Sequence, residues 1–309
     1  MSFSGLRFWS AVRTAALLAI VSATLLTPGF YAKASMLSLL TTLSFIGCVA
    51  VGATFITLSG NIMSFGLGAT LGASSMVFVA CLPLGLLGAM ITTLAFSTAV
   101  TALQGWLIGQ FRANPIIVSM AALALINGLA TLFTSGRGVY PEGTAHELLK
   151  QGFGGVPLPV WCFLGCVLVG QALLLFTRFG QTLYMVGSNR RAALAAGVNA
   201  PRAVTLAYAL AGLFTALSAV LMAARYGSGE MEFGVGMDYS AISAVLVGGT
   251  AIQGGSGSVL RTLAGALVIA VVEALLLLNG FSTQAQVLAT GLIVLLVILL
   301  QAPPKGSTH

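Results

Sequence analysis

Side chains able to do chemistry are few in this chain and lie far apart. Among its 309 residues there are 13 basic and 6 acidic side chains. None of its lysines, Lys33, Lys150 and Lys305, is followed by Ser or Thr, so no phosphate-cradling G-x-x-x-x-G-K-[ST] loop exists. Nor is there a G-x-S-x-G elbow, an H-E-x-x-H helix or a G-x-G-x-x-G turn. The cysteines Cys48, Cys81, Cys162 and Cys166 fall in apolar stretches, far from His146 and His309. A zinc site needs further Cys or His ligands nearby, so they read as small buried thiols, and neither a metal nor catalysis is expected. What remains is polar chemistry inside apolar segments. Asn61, Ser64 and Asn127 can donate and accept hydrogen bonds without the cost of a buried charge. Glu273 lies mid-span; a proton relay there would need a second titratable partner, and none stands in the spans.

The elements that carry these residues are hydrophobic. Apolar residues make up 58% of the chain and charged residues 6%, against about 25% charged in soluble domains. An all-α polytopic membrane protein is expected, as one domain across 1–309. About 20 apolar residues cross a bilayer as a helix. Ten segments qualify, near 11–28, 36–58, 64–82, 84–108, 116–135, 160–177, 203–223, 239–253, 259–278 and 284–301. The third and fourth run together and the eighth is short, so eight to ten spans is the working range. The first segment, with Arg7, Arg13 and an A-x-A match at Ala32–Ala34, reads as a span rather than a cleaved leader.

Ten spans place Arg7, Arg13, Arg112, Arg178, Arg190, Arg191, Arg202, Arg261 and Lys305 on one side and Lys33, Arg137, Lys150 and Arg225 on the other. The positive-inside bias then makes both termini cytoplasmic. Glu142, Glu147, Glu230, Glu232 and Asp238 fall on the outward side, where acids can steer a basic partner surface. The net charge of +7 suits orientation and anionic lipid headgroups rather than nucleic acid.

Two loops and two glycine-rich breaks punctuate the spans. Residues 136–159 form an outward polar loop. Residues 178–202 form an inward basic loop, in which Arg190 to Ala196 favour a short helix, Gly197 stops it and Pro201 starts the next. On residue types alone, this is either a docking element or a plain positive-inside loop. The breaks are Ser59–Gly68 and Gly248–Ser258. Paired interruptions of this kind line transport sites, or else are tight turns. The pairs Gly68/Gly72 and Gly105/Gly109 read as close helix packing within the subunit.

The chain resembles the ribose-type monosaccharide ABC transporter permeases. Asn114-Pro115-Ile116-Ile117-Val118 with Asn127-Gly128 is similar to the family's P-x-I-x-T-L segment. Val186-Gly187-Ser188-Asn189 through Gly197-Val198-Asn199 resembles its V-G-G-N-x-x-A-A-x-x-A-G-I-N loop, and Gly236–Thr250 with Gly254–Ser258 resembles its G-x-x-x-x-L-x-A-I-A-A-V-x-x-G-G-T stretch. Two departures stand out. The family's G-I-D-L-S-V-G appears as Asn61-Ile62-Met63-Ser64-Phe65-Gly66, without its acid, and Arg261 replaces a usual glycine.

The resemblance implies about ten transmembrane helices in two related halves in a bacterial inner membrane. It also implies a second permease subunit, a separate ABC ATPase subunit carrying ATP and magnesium, and a periplasmic sugar-binding protein. The chain itself is then no enzyme and holds no cofactor. Gly187, Arg190, Arg191, Ala192, Ala195 and Gly197 are expected to couple to the ATPase. Asn61, Ser64 and Asn127 are expected to line the pathway, and Glu142, Glu230, Glu232 and Asp238 to meet the binding protein. A self-sufficient secondary transporter, or an ABC permease for branched-chain amino acids or nucleosides, is the alternative; an ATPase gene and a binding-protein gene beside this one would separate them.

Overall fold

A computed structural model describes residues 24–25, 27–61, 64–150 and 152–301. Most of the first expected span, with Arg7, Arg13 and Lys305, therefore lies outside the described residues. In chain order the helices are α1 (Lys33–Leu58), α2 (Leu67–Ala80), α3 (Leu86–Phe111), α4 (Pro115–Thr134), α5 (Leu158–Phe176), α6 (Arg178–Ser188), α7 (Arg190–Ala195), α8 (Ala200–Tyr226), α9 (Met237–Val247), α10 (Val259–Leu278) and α11 (Thr283–Gln301). The architecture is all-α apart from one small hairpin, Gly152–Phe153 with Val156–Pro157, closed by Gly154 and Gly155, both at positive φ. Positive φ at both central residues is what a tight two-residue hairpin turn requires.

Each expected apolar segment within the described residues is a helix, but the count of about ten crossings is not established. Among the described residues, six helices are long and apolar enough to cross a membrane: α1, α3, α4, α5, α8 and α10. Helices α2 and α9 have 14 and 11 residues. At 1.5 Å per residue they reach roughly 21 and 17 Å, short of the ~30 Å hydrocarbon core. They are half-helices, each adjoining one of the two glycine breaks, and this is where equating an apolar run with a full span fails.

The core is built around α8 and α1. Without a strong hydrophobic drive between helices in lipid, close approach depends on small residues and interhelical hydrogen bonds. Gly52 of α1 faces the Ala211 backbone, and Gly105 and Gly109 of α3 face Tyr208 and the Pro201 backbone of α8. A Cβ at any of the three would press into those atoms. Ser97 donates to the Gly212 carbonyl at 2.7 Å and Ser218 to the Phe45 carbonyl at 2.9 Å. Thr54 and Thr262 share a 2.7 Å bond between α1 and α10. Gly68 and Gly72 pack against Gly234 and Met231, within the subunit as expected. Cys48 and Cys166 are buried, their sulfurs 3.8 Å apart, and are free thiols. By contrast α4 buries only Ser119 and Ile126, and its Leu125, Leu129, Leu132 and Phe133 are exposed, as suits a helix facing lipid or another subunit.

Candidate functional site: a glycine junction, its docking helix and a polar cluster

The two glycine breaks, far apart in sequence, meet in space. The Gly255 amide donates to the Leu58 carbonyl at 3.1 Å, tying the end of α1 to the second break. Gly60 and Gly254, both at positive φ, lie backbone to backbone; a Cβ on Gly254 would come 2.6 Å from the Gly60 Cα. Gly187, in the last turn of α6, wedges between them against the Leu58 carbonyl and the Gly255 backbone. Tyr184 of α6 adds a 2.8 Å bond to the Gly257 carbonyl. Glycine is required here because three backbones converge with no room for a side chain. Gly187, expected on the docking surface, is therefore an internal contact of this junction.

Directly after the junction stands α7. The basic loop holds two helices rather than the single one expected, because α6 is amphipathic and buries Gly180, Leu183 and Val186. The α7 boundaries follow from local chemistry. Asn189 Oδ1 accepts from the Ala192 amide at 3.0 Å, capping the start. At the end, the Gly197 amide donates to the Leu194 carbonyl and Val198 to Ala193, each at 3.0 Å, with Gly197 left-handed at φ 79°. That is a Schellman stop. Asn199 caps α8 through the Arg202 amide at 3.1 Å. Ala193 is buried, while Arg191, Ala192, Ala195 and Gly197 are exposed on one small-residue surface.

Arg190 turns inward. Its Nη2 donates to the Gly109 carbonyl at 2.9 Å, in the last turn of α3, where a cation complements the helix dipole. Burial, and then the neighbouring Arg112, push the guanidinium below its ordinary pKa. It is not placed on the rim of a docking face. Arg190, Arg112, Ile108, Asn114, Pro115 and Asn61 line a cleft of about 410 Å³ that is largely open to solvent.

Of the expected pathway residues, Asn61 and Ser64 sit in the first break and are buried. Asn61 Nδ2 donates to Ser59 at 2.9 Å. Asn127 is separate: it lies exposed on α4, 13 residues beyond Asn114, or roughly 20 Å along the helix. Two further residues went unnoticed in the sequence. The Tyr208 hydroxyl lies beside Ser64, and the Gln104 amide backs onto Gly66. Ser64 and Tyr208 face one another at hydrogen-bonding range, though without an aligned bond, and Gln104 Nε2 is buried without a hydrogen-bond partner. Both new residues fall inside apolar runs, and the rule that flagged Asn127 would have flagged Gln104.

At the opposite end of the bundle, the polar loop covers the end of α8, where His146 approaches Gly227, and Val139 pairs with Gly229. Glu142 and Glu232 are exposed and Glu230 is half-buried against Gly138. Asp238 corrects the expectation. It is buried, and its Oδ1 accepts from the Gly68 amide at 2.9 Å, so it cannot present its charge outward. It sits in the first turn of α9 and at the start of α2, whose own N-cap, Gly66, offers no side chain. One carboxylate thus serves two helix N-termini. Glu273, likewise internal, accepts from Ser240 at 2.7 Å.

A helical bundle with two glycine breaks that meet in space, and a short helix displayed beside them, has the architecture of a membrane transport permease. Residues 35–302 match the family described as the permease component of branched-chain amino acid transport systems, and the chain belongs to that family. It is 30% identical to the ribose import permease protein RbsC of Bacillus subtilis, over 91% of this chain and 88% of the relative. It is 28% identical to the L-arabinose transport system permease protein AraH of Escherichia coli, over 96% of this chain and 92% of the relative. It is 30% identical to the autoinducer 2 import system permease protein LsrD of Yersinia enterocolitica, over 82% and 79% respectively.

Proposed function

We propose that this chain is the membrane subunit of an ATP-driven importer of a monosaccharide or similar polyol, working with a separate ATPase subunit, a second permease subunit and a periplasmic binding protein. The observation that carries the reading is the glycine junction. On this reading a movement of α7, carried by the adjoining α6, reaches both membrane breaks through Gly187, whose backbone lies against Leu58 and Gly255 with no side chain between. The exposed Ala192 and Ala195, with Gly197 beside them, form the surface on which an ATPase seats. Arg191 faces outward to meet its carboxylates, while Arg190 anchors the helix to α3. ATP and magnesium belong to that partner chain.

The sugar reading rests on the near full-length likeness to permeases named for ribose, L-arabinose and autoinducer 2. Ser64, Gln104 and Tyr208 form a buried polar cluster, with the Gln104 amide nitrogen unsatisfied, of the kind sugar hydroxyls can engage. A mid-span asparagine exposed on α4 is costly against lipid; at an interface between two permease copies Asn127 faces the passage instead. The exposed Glu142 and Glu232, with Glu230, are the contacts for the binding protein. The asymmetry of basic residues supports cytoplasmic termini.

The docking reading is tested with Ala195→Trp. Ala195 is exposed, so the fold tolerates the change. The variant is expected in the membrane at normal levels but without the ATPase on co-purification and without uptake. Normal assembly and uptake would return 178–202 to a plain basic loop.

A further inference from the structure

The cleft lined by Arg112 and Arg190 carries charge that neither the docking surface nor the passage of a neutral solute uses. It lies where the α3–α4 corner, the first break and the start of α7 converge. Neither arginine has a carboxylate partner among the described residues. Arg190 Nε is buried and makes no hydrogen bond, although Nη2 of the same guanidinium is tied to Gly109. Arg112 ends α3 at φ 55°, a left-handed conformation that favours glycine. The backbone thus accepts strain at the point where this guanidinium meets the cleft. Asn61 and Asn114 add amide groups to the lining, and Asn114 also caps α4 through the Ile116 amide at 3.0 Å. Arg112 is exposed and Arg190 half-buried, so solvent screens their mutual repulsion in part; a bound anion would remove what remains while filling the free guanidinium donors.

We propose that this cleft binds an organic phosphate, held by Arg112 and Arg190 and flanked by Asn61 and Asn114. Planar guanidinium forks match phosphate oxygens, and about 410 Å³ is room for a phosphate carrying a small polyol. A soluble sugar or glycerol phosphate and a lipid headgroup share that chemistry. Occupancy would clamp α7 to the α3–α4 corner and so act on the element that moves the junction.

The test uses the full chain purified in neutral detergent. Glycerol 3-phosphate is titrated against glycerol at matched ionic strength, with amide hydrogen exchange read over 109–116 and 189–195. Saturable protection by glycerol 3-phosphate alone, weakened about tenfold or more in Arg112→Gln and partly restored in Arg112→Lys, is the expected result for a soluble ligand. Native mass spectrometry after exposure to phosphatidylglycerol or phosphatidylcholine separates the sources. Retention of phosphatidylglycerol alone, lost in Arg112→Gln, assigns the site to a headgroup. No protection and no selective lipid retention in the unmutated chain overturns the proposal, as does equal binding by a folded Arg112→Gln.

Discussion

At the scale of single residues, the folded chain uses its rare charges inward more than its sequence implies. Asp238 is the clearest case. Its carboxylate holds the Gly68 amide at the start of α2, and removing an acceptor from a buried amide costs about 1–3 kcal/mol. Asp238→Ala is expected to lower the melting temperature of the purified protein clearly. Asp238→Asn, which keeps an acceptor oxygen, should lose much less; equal melting of all three proteins would remove the capping role. Gly187 and Gly197 make a second pair. A Cβ on Gly187 would run into the Leu58 carbonyl and the Gly255 backbone, whereas one on Gly197 meets nothing within 4 Å. Gly197→Ala carries only its left-handed backbone, about 1 kcal/mol, and should assemble and transport. Gly187→Ala should insert poorly or lose transport, as membrane level and uptake measured together will show; full activity would mean that the junction is loose.

At the scale of elements, helix positions were readable and their roles only partly so. Apolar runs mark every described long helix, because burial in lipid demands them. The α7 stop at Gly197 was readable as well, since its cause is local. The two half-helices were not, because a run such as 239–253 counts as apolar whether its last residues are helix or the glycine turn that closes on Gly60. Nor could the sequence show that Arg190 points to Gly109, a partner on another helix. Asn61 and Ser64 were legible as break residues, but Gln104 and Tyr208 join them only through the packing of α3 on α8. A cysteine at 64 or 104 in this polar cluster is expected to react with a small aqueous thiol reagent in at least one state of the transport cycle, and substrate should alter the rate. Inertness of both in every state would make the cluster a packing defect rather than a passage.

At the scale of the whole molecule, the bundle presents two distinct ends. One carries α7, the glycine junction and the arginine cleft; the other carries Glu142, Glu230 and Glu232 with the hairpin loop. Reversing Glu230 and Glu232 to lysine should weaken stimulation by the binding protein, most strongly at low salt, since exposed charges act by screened steering. Unchanged stimulation at every ionic strength would leave them as solvated loop residues. Between these ends lies a chain with no ATP-binding motif of its own, so the central claim is that work reaches it from another subunit. The most direct measurement is uptake of radiolabelled ribose and arabinose into liposomes holding this chain, with and without its ATPase, binding protein and internal or external ATP, in the presence of a protonophore. The account predicts accumulation of a sugar that requires the ATPase, the binding protein and ATP on the ATPase side, and that survives the protonophore. Uptake by this chain alone, abolished by the protonophore, would contradict it.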